Sequence, residues 1–166
     1  MDEFSRGFSQ PEYLHVLLNH WPVMGLLCGL LILALSFFQK SRAASNGGLL
    51  LILISALAIY PVSELGEGSR NGLEGSLDET GRAWLHEHEK RAASAAPFYY
   101  ITAVLALTGL ILPKFYPKTA IPLLAGTFFM GCTALATGIW TASAGGKIRH
   151  PEFRYSLPPQ QTQKER

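Results

Sequence analysis

The chain carries five histidines, and four of them lie in two short polar segments that border long apolar stretches. His15 and His20 occur in LHVLLNHWPV, and His86 and His88 occur in HEHEKR. A neutral imidazole binds a metal through one ring nitrogen and donates a hydrogen bond through the other. Imidazole is also a common axial ligand of haem iron. The two segments therefore suit either a metal centre or a haem that two histidines hold.

Carboxylates near these histidines suggest the metal centre. Glu12-x-x-His15 has the spacing that di-iron helix bundles use to place two ligands on one helical face. Glu64 and Glu67 are also three residues apart, and His86 with Glu89 has the same spacing in reverse. A di-iron bundle uses two Glu-x-x-His motifs, whereas this chain has one. The candidate ligands of iron or another transition metal are His15, His20, His86, His88, Glu64, Glu67 and Glu89.

Four long stretches of the chain contain no Asp, Glu, Lys or Arg. They are Tyr13–Gln39, Ala43–Ser63, Ala92–Pro113 and Thr119–Gly146. A helix of roughly 20 apolar residues spans the hydrocarbon of a bilayer. We therefore predict an all-α membrane protein with four transmembrane helices in an antiparallel bundle, residues 1–150, followed by a polar, mobile tail, residues 151–166. The first stretch is too long for a signal peptide and lacks a basic segment before it, so we expect it to remain uncleaved.

Local signals predict where these helices begin and end. Ser9-x-x-Glu12 and Ser76-x-x-Glu79 fit capping boxes at the starts of the first and third helices. Pro22 removes a backbone hydrogen bond and predicts a kink or a restart. The glycine-rich polar segment 66–82 predicts a loop after the second helix, which ends near residues 61–64.

An antiparallel arrangement brings all five histidines and all twelve acids to one side, here named the histidine side. The opposite side, the turn side, has two short turns that carry Lys40, Arg42, Lys114 and Lys118. Short basic turns favour the cytoplasm, so we predict a multi-pass protein of the bacterial inner membrane with periplasmic termini. The remaining Lys and Arg residues lie on the histidine side and favour the reverse orientation.

A haem b with two axial histidines is the preferred hypothesis for the site. His20 precedes Gly25 and Gly29, a GxxxG face that lets a flat ligand or another backbone approach closely. His86 lies about 200° from His88 around a regular helix, so only one of them can point inward. The predicted haem-binding residues are the axial ligands His20 and His88, the groove residues Gly25 and Gly29, and the propionate partners Arg82 and Arg149.

The motifs LHVLLNHWPV, YPVSELGEG and HEHEKRA resemble those of an uncharacterised bacterial family of four-helix membrane proteins, the domain of unknown function 2231 type. The resemblance covers roughly residues 11–150. It implies that His20 matches the histidine of the first helix and His88 that of the third. Some members are fused to Rieske or c-type cytochrome modules, which implies a redox role beside other membrane or periplasmic redox subunits.

The sequence thus predicts a redox subunit that binds haem b near one membrane face and passes electrons within a respiratory or quinol-linked complex. It resembles an electron-transfer or accessory subunit more than a stand-alone enzyme. Two alternatives stay open: a carboxylate–histidine metal protein, and a cofactor-free interaction subunit whose histidines only bond to backbone carbonyls. The expected partners are the lipid bilayer and other redox subunits, and no segment resembles a nucleic-acid-binding patch.

Overall fold

The protein is described here from a computed structural model that covers residues 8–158. This part of the chain forms six α-helices and no strand. The helices are α1 (Pro11–Leu18), α2 (Trp21–Gln39), α3 (Arg42–Leu57), α4 (Ile59–Glu74), α5 (Glu79–Ile111) and α6 (Ala120–Arg149). Three short 3-10 helices follow α5, precede α6 and end the described chain, at Leu112–Lys114, Pro117–Thr119 and Pro151–Phe153.

These helices form four spans that are long and apolar enough to cross a membrane, as the sequence predicts. They are Pro11–Gln39, Arg42–Glu74, Glu79–Lys114 and Pro117–Arg149. At most 33% of the most apolar window of any span is buried inside the protein. Most of the apolar surface of the spans therefore faces outward.

The first two spans are each broken into two helices. The first span breaks at Asn19 and His20 and restarts at Trp21, with Pro22 in the first turn of α2. This restart agrees with the prediction made from Pro22. The second span breaks at Ala58, between α3 and α4. The helices of these two spans that lie on the histidine side, α1 and α4, pack against each other.

Both predicted capping boxes are wrong, because other residues occupy the cap positions. Gln10 precedes α1 as its N-cap. Asp78 is the N-cap of α5, and its carboxylate accepts a hydrogen bond from the Gly81 N–H at 2.9 Å. The Ser76 hydroxyl instead donates to the Leu73 carbonyl at 2.8 Å.

The predicted loop at 66–82 is also wrong over most of its length, since α4 continues as a helix to Glu74. Two of its glycines face α1. A Cβ added at Gly66 would lie 3.1 Å from the His15 ring, and one at Gly68 would lie 3.5 Å from Pro11. The missing side chains therefore let α1 approach closely, and this packing stabilises a segment of low helix propensity.

The long helices α2, α3, α5 and α6 pack around one apolar core. Its most buried side chains include Leu26, Leu33, Ile52 and Tyr99. The backbones of α2 and α3 approach closely, since a Cβ added at Gly48 would lie 2.9 Å from the Leu33 nitrogen. A second, smaller core joins the histidine-side ends of α5 and α6 through Trp84, Leu85, Ala144 and Ile148.

Candidate histidine site

His15 is held by α4. Its ring is half-buried, and Nδ1 lies 2.9 Å from the Val62 carbonyl oxygen. A carbonyl can only accept, so Nδ1 carries the proton and Nε2 carries the lone pair. Gly66, one turn after Val62, lies against the ring and leaves it room. His15 is therefore fixed in the tautomer that binds a metal through Nε2.

His88 is held by α6 in the same way. Its half-buried ring places Nδ1 3.0 Å from the Thr141 carbonyl oxygen. Gly145, one turn after Thr141, lies against the ring, since a Cβ added there would lie 3.2 Å from Cε1 and from Nδ1. Here too Nδ1 donates and Nε2 remains as the lone-pair nitrogen.

The two histidines make matching contacts in the two halves of the chain. In each half, a histidine of the first span donates to the carbonyl of residue i of the following span and packs on a glycine at i+4. The residues are Val62 and Gly66 in one half and Thr141 and Gly145 in the other. The same contact pattern thus occurs once in each half, with one imidazole from each.

The two imidazoles interact electrostatically, since His15 acts on His88, as do Glu89 and Arg91. Two ion pairs join the histidine-side helices around them. Arg149 of α6 contacts Glu12 of α1, and the Arg70 Nε atom of α4 lies 3.4 Å from the Glu89 Oε1 atom of α5.

The other predicted ligands are spread over the surface. His20 is an exposed residue at the N-cap of α2, and Glu64 and Glu67 are exposed on α4. His86 is 56% exposed and pairs with Glu89 at 3.8 Å. Within residues 8–158, no three His, Cys, Asp or Glu side chains lie together as a metal-binding group. The predicted carboxylate–histidine cluster is thus not brought together there.

The predicted groove and propionate partners already have other contacts. A Cβ added at Gly25 would lie 2.2 Å from Ser55 Oγ, and one at Gly29 would lie 2.7 Å from Ile52. The GxxxG face is therefore occupied by α3, which agrees with its alternative interpretation as a helix-packing surface.

Both predicted propionate partners lie exposed on the histidine side. Arg82 donates to the Leu77 carbonyl at 2.9 Å, whereas Arg149 is paired with Glu12. Either side chain would have to exchange a protein contact for a propionate. The structure does not bring His20, Gly25 and Gly29 together with His88 around one space.

A buried ion pair, which the sequence patterns did not predict, lies beside His88. The Arg91 Nε atom donates to Glu87 at 2.7 Å, and their side chains are only 10% and 7% exposed. Arg91 also donates to the Trp140 carbonyl at 3.0 Å and to Ser143 Oγ at 3.2 Å. Its guanidinium carbon lies 4.4 Å from the centroid of the Trp140 ring. The i, i+4 spacing of Glu87 and Arg91 is the signal that could have identified the pair.

Arg154 fastens the end of α6 to the start of α5. It donates to the Lys147 and Ile148 carbonyls, each at 2.7 Å, and to the Asp78 carboxylate at 2.6 and 3.1 Å. The hydrogen bond from Arg154 lowers the pKa of Asp78 below its ordinary value, and the Gly81 N–H acts in the same direction. An open cleft of about 230 Å³ lies beside this contact, lined in part by Ser76 and Pro151. The cleft is not lined by the histidine pair.

No protein-family model, curated protein or solved structure matches the chain. The resemblance to the four-helix family therefore rests on the short motifs alone. The candidate site is defined by its own chemistry, which is two half-buried imidazoles that each donate Nδ1–H to a backbone carbonyl.

Proposed function

We propose that this chain is an integral membrane protein with four antiparallel spans, which binds haem b between His15 and His88 and passes electrons to partner redox subunits. The observation that carries the proposal is the matched pair of imidazoles. Each donates Nδ1–H to a backbone carbonyl of the following span, 2.9 Å away for His15 and 3.0 Å away for His88. Such outer hydrogen bonds orient imidazole ligands and raise their basicity.

The proposed ligand from the first span is His15, whereas the sequence alone favours His20. Two residues that would hold one haem should both be partly buried and oriented by other protein groups. His15 and His88 are both half-buried and hydrogen-bonded to backbone carbonyls, whereas His20 is exposed at the restart of the helix. His20 as a ligand stays a prediction, and the same experiment tests it.

A haem held by His15 and His88 would supply one-electron chemistry. The protein residues have separate tasks at such a site. Val62 and Thr141 supply the carbonyls that fix the two tautomers. Gly66 and Gly145 allow the rings to lie flat against the neighbouring helices. None of these residues supplies an acid–base pair, so electron transfer suits the site better than hydrolysis.

Exposed aromatic side chains support a position of the site near a membrane surface. Trp21, Tyr60 and Trp140, from three of the four spans, are between 47% and 59% exposed. Trp and Tyr gather at the interface between bilayer and water. His15 lies closer than Trp21 to the histidine-side end of the first span. Val62 lies beside Tyr60 in the second span. The site therefore belongs at that interface.

We further propose that the histidine side is periplasmic in a bacterial inner membrane. The basic turns that carry Lys40, Arg42, Lys114 and Lys118 would then be cytoplasmic. Alkaline phosphatase fused after residue 158 should be active, and the same reporter inserted at residue 45 should be inactive. The reverse pattern would assign the histidine side to the cytoplasm without affecting the haem proposal.

Absorption spectroscopy tests the haem proposal directly. The full chain, expressed in haem-replete cells and purified in mild detergent, should show the reduced α-band of a bis-imidazole haem after addition of dithionite. His15→Ala and His88→Ala should each lose this spectrum. His20→Ala is the matched control and should keep it, since its ring lies outside the pair.

Other results would favour the alternatives. A colourless wild-type protein with bound iron or another transition metal would favour the carboxylate–histidine site. A colourless and metal-free protein would favour the cofactor-free interaction subunit. Loss of the spectrum in His20→Ala, with retention in His15→Ala, would return the ligand assignment to His20.

A further inference from the structure

The turn side carries four cations and no acid in the described chain. Lys40, Arg42, Lys114 and Lys118 are all exposed, and within residues 8–158 none of them forms an ion pair with a carboxylate. Four of the five arginines described on the histidine side behave differently, the exception being Arg82, which donates to a backbone carbonyl. Arg70, Arg91, Arg149 and Arg154 are each paired with a carboxylate. The cations of the turn side therefore remain free to bind an external anion.

The fold gathers these four cations into one surface. The helices α3 and α5 pack against each other, and a Cβ added at Gly109 of α5 would lie 3.2 Å from Leu49 of α3. Both residues lie near the turn-side ends of their helices. The α2–α3 turn and the α5–α6 turn are thus neighbours, and their charges add.

Large apolar side chains surround the cations. Phe38 is 85% exposed, Phe115 is 72% exposed and Tyr116 is 63% exposed. A soluble partner would leave these rings in contact with water around the charges. A bilayer surface accommodates both the aromatic rings and the cations. The rings insert into the boundary between headgroups and acyl chains, and the cations contact the headgroups.

The backbone of Lys40 has a left-handed conformation. Lys40 has φ 50°, and it is the one non-glycine residue with positive φ among residues 8–158. Glycine takes this left-handed conformation with less strain. The tight link from α2 to α3 therefore holds a lysine at a position where glycine would have less backbone strain.

We infer that the turn side binds the phosphate groups of anionic phospholipids, such as phosphatidylglycerol. This inference rests on the membrane-spanning part of the proposed function and is independent of the haem. Anionic leaflets attract Lys and Arg clusters beside a membrane span, and salt weakens the attraction.

Spin-labelled lipids measure this preference in the reconstituted full chain. In phosphatidylcholine bilayers, the wild-type protein should immobilise labelled phosphatidylglycerol several-fold more than labelled phosphatidylcholine, with each cation contributing up to roughly fivefold. A variant with Lys40→Gln, Arg42→Gln, Lys114→Gln and Lys118→Gln should lose most of the preference. Lys90→Gln, a change of an exposed lysine on the histidine side, should keep it. One molar salt should weaken the wild-type preference.

Lys40→Gly separates a lipid role from a structural one. The glycine should leave thermal stability unchanged or raise it, while the preference for phosphatidylglycerol falls. Equal immobilisation of the two lipids by wild type, or an unchanged preference in the fourfold variant, would overturn the inference. A failure to immobilise either lipid would instead refute membrane insertion, and the haem spectrum of the same samples reports independently on the histidine site.

Discussion

The contact between Tyr99 and Gly138 gives the sharpest test of the packing. The Tyr99 side chain is 1% exposed, and its hydroxyl has no hydrogen-bond partner within the described chain. A Cβ added at Gly138 would lie 2.1 Å from this hydroxyl and 3.2 Å from Cζ. Gly138→Ala must therefore displace the tyrosine ring, and Tyr99→Phe removes the atom with which the new methyl group clashes.

The magnitudes follow from the two changes taken separately. Gly138→Ala gains about 1 kcal/mol of helix propensity and loses about 1–3 kcal/mol through overpacking, so the net effect should be zero to about 2 kcal/mol of destabilisation. Tyr99→Phe alone should be neutral or stabilising, because it removes an unpaired buried hydroxyl. The double variant should be more stable than the sum of the single effects by at least about 1 kcal/mol, since the phenylalanine leaves room for the alanine.

The assay is equilibrium unfolding by SDS in mixed micelles, followed by circular dichroism. Gly126→Ala is the matched control on the same helix, because a Cβ there meets no atom within 4 Å. It should show the propensity gain alone. Additivity of Tyr99→Phe and Gly138→Ala within about 0.5 kcal/mol would refute the close contact.

Three further predictions concern the histidine side. Arg91→Ala should cost about 3–5 kcal/mol in the SDS assay, because it leaves the buried Glu87 carboxylate unpaired. Asp78→Asn should remove a pH-dependent contribution to stability. Arg154 lowers the folded-state pKa of Asp78, so its stabilisation is present above the ordinary carboxyl pKa and is lost as pH falls through the lower folded value. Acid titration of unfolding should therefore be steeper in wild type than in Asp78→Asn, and parallel curves would contradict this. Gly145→Ala should displace the His88 ring, because the added Cβ would lie 3.2 Å from it. Haem retention should then weaken, measured as loss of the reduced α-band after dialysis. Full retention of haem would argue against a role for Gly145 in placing the His88 ring.

The four spans could be predicted from the sequence because they depend on local composition. Long runs without charge predict helices that can cross a membrane, and Pro22 predicts the restart of the first span. The sequence was insufficient for α4, whose glycine-rich half has the composition of a loop. That half is helical because Gly66 and Gly68 pack on α1, and such a contact between distant segments leaves no periodic signal.

The sequence supplied the candidate histidines, His15 and His88 among them, but not the contacts that each one makes. Their role as ligands stays a prediction. The partners that distinguish them from His20 are the carbonyls of Val62 and Thr141. Every residue has a carbonyl, so only the register between helices reveals which one an imidazole meets. Glu87, which is buried against α6 together with Arg91, was also absent from the candidates.

The matching contacts of His15 and His88 divide the proposed site between the two halves of the chain. Each half contributes one imidazole, one acceptor carbonyl and one glycine a turn later. Neither half would complete the proposed two-histidine site by itself, so the geometry of that site depends on how the two halves pack. Among residues 8–158, the breaks at Asn19 and Ala58 lie in the first half, so the two halves differ most in the helices that carry His15 and its acceptor.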